Sequence, residues 1–236
     1  MNNKSYTPKH RNQSLYPTNT GTTTAFFDVD GTLLPGVYAE RIFIRYLLDE
    51  NILTWKNLAR YSISVLTGGN PFKRQAWERN KMYLKNLPAD QLRDRARECY
   101  RRRISSCLSS KARSRVAEHL GKGHRVFLVS ASLRWLVEPL GEELGTHGLL
   151  ATQLASENGS LTGYTLGGFI YGQNKAALLR RWISWWNVDA GSSFAYSDHH
   201  SDIPMLEMVG HPVAVNPTRK MRCHALARGW KVESFE

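Results

Sequence analysis

The sequence predicts an α/β fold in which a mainly parallel sheet alternates with helices and carries an inserted helical block. Three observations point there. Short runs rich in β-branched, aromatic or aliphatic residues at 22–29, 123–132 and 192–196 each stop abruptly in small polar or acidic residues. Segments of helical periodicity separate the later runs, as parallel strands require. The stretch between the first two runs is helical in texture from 37 to about 120, too long for a crossover and therefore expected to form a subdomain of its own.

The elements follow in order. TTTAFFDV at 22–29 reads as a buried strand entering an Asp-Gly loop. VYAERIFIRYLLDEN at 37–51 reads as a helix, with Ile42, Tyr46 and Asp49 on one side and Phe43, Leu47 and Leu48 beside it. Further helices are expected over 54–66, 71–87 and 88–107. Gly68-Gly69-Asn70-Pro71 breaks the chain between the first two, and Pro88 sits near the start of the third. GHRVFLVSAS at 123–132 is a second strand, and 149–154 a third. Asn158-Gly159 carries a hairpin signal leading into 161–170. A helix over 175–186, a strand over 192–196, a short helix over 203–209 and a last strand over 212–215 complete the pattern.

The 236 residues suit one domain with a sizeable insertion, and 42% hydrophobic with 22% charged residues excludes wholesale disorder or a fibre. No run of 18 uncharged apolar residues occurs. Residues 36–125 hold 20 Lys and Arg against 8 Asp and Glu, while the remainder holds 12 of each, so the net +12 belongs to the insertion alone. Such a balance suits an anionic partner: a phosphorylated metabolite, a nucleic acid or a lipid surface. The three cysteines show no C-x-x-C pair and read as free thiols of a reducing, cytoplasmic compartment. Residues 1–21 are polar without an apolar core, the pattern of a flexible tail rather than a secretory signal.

In open α/β sheets, ligands gather beyond the carboxyl ends of the strands. Four polar sequences lie at such positions. Asp28 and Asp30 leave the first strand two residues apart and turn at Gly31, so one carboxylate can attack phosphorus and hold a hard cation while the other moves protons. Ser130 ends the second strand with a hydroxyl suited to a phosphoryl oxygen. Lys175 opens a helix, where the helix dipole disfavours a cation and a phosphate would favour one. Asp198 and Asp202 follow the 192–196 strand as a second acid pair, suited to Mg²⁺. His199 and His200 invite a zinc reading that no third nitrogen or sulfur ligand at characteristic spacing supports.

FFDVDGTLL at 26–34, VFLVSAS at 126–132, the G-Q-N-K run ending at Lys175 and YSDHHSDIPMLEMVGHPVAVNP at 196–217 together resemble the haloacid dehalogenase (HAD) superfamily, in its phosphoserine-phosphatase-like branch, subfamily IB. The resemblance covers about 22–236 and implies a Rossmann-like core at 22–35 and 122–236 with a helical cap at 36–121. It implies an Mg²⁺-dependent phosphomonoester hydrolase. Asp28 would be the nucleophile and Asp30 the general acid and base. Thr32, Ser130, Ala131 and Lys175 would bind the phosphoryl group. Asp28, Asp30 through its carbonyl, and Asp198 would hold the metal, supported by Ser201 and Asp202. Phosphoserine enzymes carry a glutamate where Val37 stands here, with Glu40 one helical turn later, and an asparagine where Ser201 stands.

The substrate expected is a small phosphorylated metabolite: an amino-acid-like or amino-alcohol phosphate such as histidinol phosphate, a sugar or polyol phosphate, or a phospholipid head group. Trp55, Tyr61, Trp77, Tyr83 and Tyr100 among the cap's basic residues lean toward a multiply anionic or membrane-presented one. Two alternatives stay open. One is a phosphotransferase sharing the same intermediate. The other is a basic binding module for nucleic acid or anionic membrane, although a nucleic acid is not the partner expected. The sequence leaves the oligomeric state open.

Overall fold

The computed structural model describes residues 21–67 and 81–236. The expected tail at 1–20, the break at 68–71 and Trp77 lie outside the described residues. Seven strands form one sheet in the order β4-β3-β2-β1-β5-β6-β7. They are β1 Thr24–Phe27, β2 Arg125–Leu133, β3 Gly148–Glu157, β4 Ser160–Leu166, β5 Phe194–Ser197, β6 His211–Val215 and β7 Lys231–Glu233. Only β3 and β4 pair antiparallel, through a two-residue turn with Asn158 and Gly159 both at positive φ, so the hairpin signal is realised. β1 is flanked by β2 and β5, with Phe27 opposite Leu128 on one side and Tyr196 on the other. The chain thus reverses its direction of progress across the sheet at β1, which makes the carboxyl ends of β1, β2 and β5 a shared crevice.

The helices are α1 Ala39–Asp49, α2 Trp55–Thr67, α3 Ala89–Cys99, α4 Ser110–Gly121, α5 Arg134–Leu144, α6 Gly172–Trp185, α7 Ile203–Leu206 and α8 Arg219–Ala227. The α1 face of Phe43, Tyr46 and Leu47 is fully buried, as its periodicity predicts. The core runs without interruption from the β1 and β2 interior (Phe27, Val126, Leu128) into the insertion (Phe43, Leu84, Leu92, Ile104). Helix α4 packs with the sheet: Ala112 and Val116 are buried in that core, and His119 bonds to Tyr196 of β5.

Where they are described, two segments expected to be helical in the insertion take another form. Of the 71–87 helix, the described part is a single 3-10 turn, Met82–Leu84. Its backbone is claimed by β4 instead: Lys81 N–H donates to Gly163 O, Asn86 N–H to Leu161 O and Ala89 N–H to Gly159 O. Covering a sheet edge outweighs local helix propensity, and Asn86 at φ 67 closes the turn. The expected 88–107 helix is α only to Cys99, then widens into a π turn over Tyr100–Ile104 and a 3-10 turn over Ser105–Cys107. This keeps Tyr100 and Ile104 both buried, with the Tyr100 hydroxyl on Glu143 of α5.

Below the sheet, Phe27 stacks on Tyr196 at 4.3 Å between ring centroids, and His119 joins them edge-on. The His119 Nε2 lies 2.8 Å from the Tyr196 hydroxyl and its Nδ1 2.9 Å from Nδ1 of His124. Burial, and then His124, push His119 down to about 4. The unfolded chain therefore binds more protons than the native state between about pH 4 and 6.5, and the stability due to neutral His119 is lost as pH falls through that window. We expect wild type to lose up to about 3 kcal/mol relative to His119→Phe between pH 7 and pH 4. Urea unfolding at both pH values measures it, and a constant difference would contradict this account.

Candidate active site

The carboxyl ends of β1, β2 and β5 bring the predicted side chains together at the floor of a cavity of about 480 Å³. Asp28 continues β1, its N–H donating to Tyr196 O at 2.9 Å. Its Oδ1 accepts from Lys175 Nζ at 2.6 Å and its Oδ2 from the Thr32 hydroxyl at 3.2 Å. The same ammonium reaches Asp202 Oδ2 at 2.6 Å, where the Ser197 hydroxyl also donates. Thr32 Oγ1 lies 3.4 Å from Asp198 Oδ1, so one hydroxyl spans the two acids from opposite strands. Gly31, at φ 80, makes this possible: a Cβ there would stand 2.4 Å from Asp198 Oδ2.

Asp30 turns the other way. Its Oδ1 accepts from the backbone N–H of Ala39 at 2.6 Å, where α1 begins, and its Oδ2 from the Ser132 hydroxyl at 2.6 Å. The carboxylate at the loop is thereby tied to the insertion and to β2 at once. Ser130 is fully buried, accepts from Ser132 N–H at 3.0 Å and lies 3.5 Å from Asp30 Oδ2. Ala131, Ser132 and Lys175 line the cavity; Ser130 and Thr32 stand behind the wall and hold the acids. Ser132 is thus a site residue that the sequence reading passes over, although its place two residues beyond Ser130 in a strand puts both on one face. Ser201 donates or accepts at 2.8 Å from His199 Nδ1, and its side chain lines the cavity.

The electrostatics favour a cation. Asp28, Asp198, Asp202 and Lys175 are all buried, three acids to one ammonium. Burial pushes Asp28 well above the carboxylate range, with Asp202 and Asp198 adding to the effect and Lys175 opposing it. Burial, then Asp202, push Asp198 up to about 7. Burial opposes charge on Lys175 as well, but Asp202 and Asp28 hold it protonated. Asp30 is raised by burial, against the hydrogen bonds from Ser132 and Ala39.

Among the described residues no group of three or more His, Cys, Asp or Glu side chains forms a metal cage. Asp28 and Asp198 are two buried carboxylates spanned by the Thr32 hydroxyl, a donor set of hard oxygens with surplus negative charge. That set suits a hard divalent cation such as Mg²⁺, which keeps waters and takes further oxygens from a phosphate.

The profile of the haloacid dehalogenase-like hydrolase family matches residues 25–207, which contain every acid described above. The chain belongs to the haloacid dehalogenase-like hydrolase family. It is 33% identical over 220 residues to the "inhibition of morphological differentiation" protein of Streptomyces azureus, covering 90% of this chain and 78% of that one. It is 30% identical over 220 residues to a phosphoserine phosphatase of Mycobacterium tuberculosis, covering 91% and 71%. A crystal structure of a protein of unknown function from Bordetella pertussis Tohama I superposes with a TM-score of 0.78 at 28% identity, covering 92% of this chain and all of that one. Within its family this haloacid dehalogenase-like hydrolase is an enzyme of the phosphatase type. No helix among its described residues is long and apolar enough to cross a membrane.

Among the described residues, several of the insertion's arginines are held in ion pairs away from the cavity of this hydrolase. Arg97 pairs with Glu142, Arg102 with Glu98 and Glu50, Arg103 with Asp49, and Arg113 with Glu143. Of the described basic residues in the insertion, Arg41 and Lys81 line the cavity. Lys81 and its partner Glu40, like Ser132, are residues that the sequence reading did not assign to the site.

Proposed function

We propose that the chain is an Mg²⁺-dependent phosphomonoesterase that works through a phosphorylated Asp28. The observation that carries the reading is the position of Asp28: one carboxylate oxygen on the Lys175 ammonium, the other on Thr32, at the cavity floor beside Asp30. An Asp28 oxygen attacks phosphorus as the bond to the leaving oxygen breaks, and protonated Asp30 gives its proton to that oxygen. Water then attacks phosphorus, Asp30 takes the water's proton, and the Asp28–phosphorus bond breaks to release phosphate. Burial raises Asp30, so its carboxyl holds a proton more readily than an exposed one would, as suits a group that must both give and take it. Lys175 and the Ala131 backbone receive the phosphoryl oxygens, while Thr32, Ser130 and Ser132 hold the two working acids in place.

Asp28 and Asp198, with the Asp30 carbonyl, would hold Mg²⁺, and Asp202 and Ser201 would support them. The ion's contribution when bound is to draw charge from the phosphoryl oxygens. The described parts of the insertion, 36–67 and 81–108, serve as a cap over the site, joined to the core where Ala39 N–H meets Asp30. Helix α4, read above as part of the cap, goes with the core because it packs on the sheet.

Phosphate release from a panel of phosphomonoesters, with Mg²⁺ and with chelator, tests the reading. Asp30→Asn is expected to lower turnover by about 10²–10⁴-fold and to leave phosphate on the intact chain, visible by mass spectrometry. Undiminished release from Asp30→Asn, or release in chelator alone, would overturn it.

A further inference from the structure

Above the aspartates, the cavity wall contains a charge pair that is already closed. Glu40 of α1 is the one carboxylate lining the cavity, among the described residues, that does not come from a strand end. Lys81 Nζ lies 2.6 and 2.8 Å from its two oxygens, and the Tyr83 hydroxyl donates to Oε1 at 2.5 Å. Lys81 is only 3% exposed. Its ammonium also sits 5.3 Å from the centre of the Phe169 ring, which ties the insertion to the loop ahead of α6. Phe169 stacks on Tyr171 at 5.8 Å, and Tyr61 packs edge-on against Tyr83 at 5.8 Å. All of these residues line the cavity together with Ile44 and Leu58.

We infer that this site prefers phosphomonoesters whose alcohol ends in an uncharged aromatic or apolar group, and that Lys81 sets the preference by neutralising Glu40. The inference rests on the phosphatase reading above. A leaving group bearing an ammonium would need a carboxylate acceptor, and Glu40 already accepts three hydrogen bonds. Taking Glu40 from Lys81 would strand a buried ammonium without its partner, which is the costly way to break a buried pair. An anionic leaving group gains no net attraction from a neutral pair, and Arg41, which also lines the cavity, is exposed over the Tyr38 ring, where water and salt screen its charge. The aromatic and aliphatic walls, by contrast, offer their full contact area to a flat or apolar body. Lys81 is therefore a positioning residue: it acts on the substrate through Glu40.

The test compares kcat/KM, in Mg²⁺, for 2-phenylethyl phosphate, O-phosphoethanolamine, O-phosphoserine and glycerol phosphate. Wild type should favour 2-phenylethyl phosphate over each of the others by at least about tenfold, or about 1.4 kcal/mol. Lys81→Met exposes Glu40 and should shift the ratio of phosphoethanolamine to 2-phenylethyl phosphate at least about tenfold toward the amine. The double variant Glu40→Gln, Lys81→Met should return it to the wild-type ratio. A general structural defect would lower all four rates together and leave that ratio alone. A wild-type preference for phosphoserine or phosphoethanolamine overturns the inference, as does an unchanged ratio in Lys81→Met. Should Lys81→Met fail to fold, the wild-type ranking and the charge-balanced double variant decide alone. Release of phosphate from none of the four esters would instead remove the phosphatase reading.

Discussion

Asp28→Asn should lose phosphate release by at least about 10⁴-fold and, in chelator, unfold at a higher temperature than wild type. The activity loss follows from the role proposed for Asp28: an amide oxygen is too weak a nucleophile to form the phosphorylated intermediate, and no described neighbour can take its place. The stability gain follows from crowding. Asp28 shares a buried site with Asp198 and Asp202 against one ammonium, and its pKa is pushed well up, first by burial. Asparagine can turn its oxygen to the Lys175 ammonium and its amide N–H to the Thr32 oxygen, whose hydroxyl can still donate to Asp198, and Lys175 keeps Asp202 at 2.6 Å.

A carboxyl whose folded-state pKa lies above its unfolded value makes the native state bind the extra proton. Its contribution is present below the unfolded pKa and is lost as pH rises through the folded one. Asp28→Asn removes that loss, so its advantage in chelator should be about 1–2 kcal/mol at alkaline pH and should vanish on acidification. Thermal melts across pH with a parallel phosphate-release assay measure both effects. Retained turnover would refute Asp28 as nucleophile, and an advantage that grew toward acid pH would refute the crowding.

The parts of the site that could be read from the sequence are those where local chemistry contradicts local structure. Asp28, Asp30, Asp198 and Asp202 leave apolar strands as acid pairs, and Lys175 sits in a first helical turn that favours the opposite charge. Each is odd enough alone to be noticed, and β1, β2 and β5 then place them side by side. Ser132 escapes because Ser130 is the better strand-end hydroxyl by position; only the fold shows Ser130 turned inward to Ser132 N–H and Ser132 on Asp30. Glu40 and Lys81 escape for a different reason. Their contact spans 41 residues, and the backbone of Lys81 is set by the β4 edge rather than by the helical pattern around it.

The placement of the insertion's charge is hidden from the sequence for the same reason. Composition gives the +12 a single sign and place, but cannot show that Arg97, Arg103 and Arg113 reach acids 30 to 54 residues away. α8 and β7 carry no signal of their own. Both are short and partly polar, and they form because β6 offers β7 an open edge, with Val213 opposite Lys231 and Val215 opposite Glu233.

Lys175→Met should both inactivate the enzyme, by at least about 10³-fold, and destabilise the metal-free protein by about 3–5 kcal/mol at neutral pH. The ammonium is 2% exposed and makes two contacts of 2.6 Å, to Asp28 and Asp202. Methionine fills much of the same volume, so the deficit isolates charge from packing. Without the ammonium, Asp28, Asp198 and Asp202 keep their burial and lose the one cation the described residues place between them. Asp28 and Asp198 can then stay buried only by taking up protons. Their folded-state pKa values, already raised, move further up, so the lost stability should return as pH falls, and the difference from wild type should shrink below neutrality. Mg²⁺ should recover part of the stability at constant pH, because a second source of positive charge enters the same oxygen cluster. It should recover little activity, since the role proposed for Lys175 is also to receive the phosphoryl oxygens. Equal melting temperatures for wild type and Lys175→Met in chelator at pH 8 would mean that the three acids are not charged together there. The case for a divalent ion at Asp28 and Asp198 would then lose its electrostatic basis.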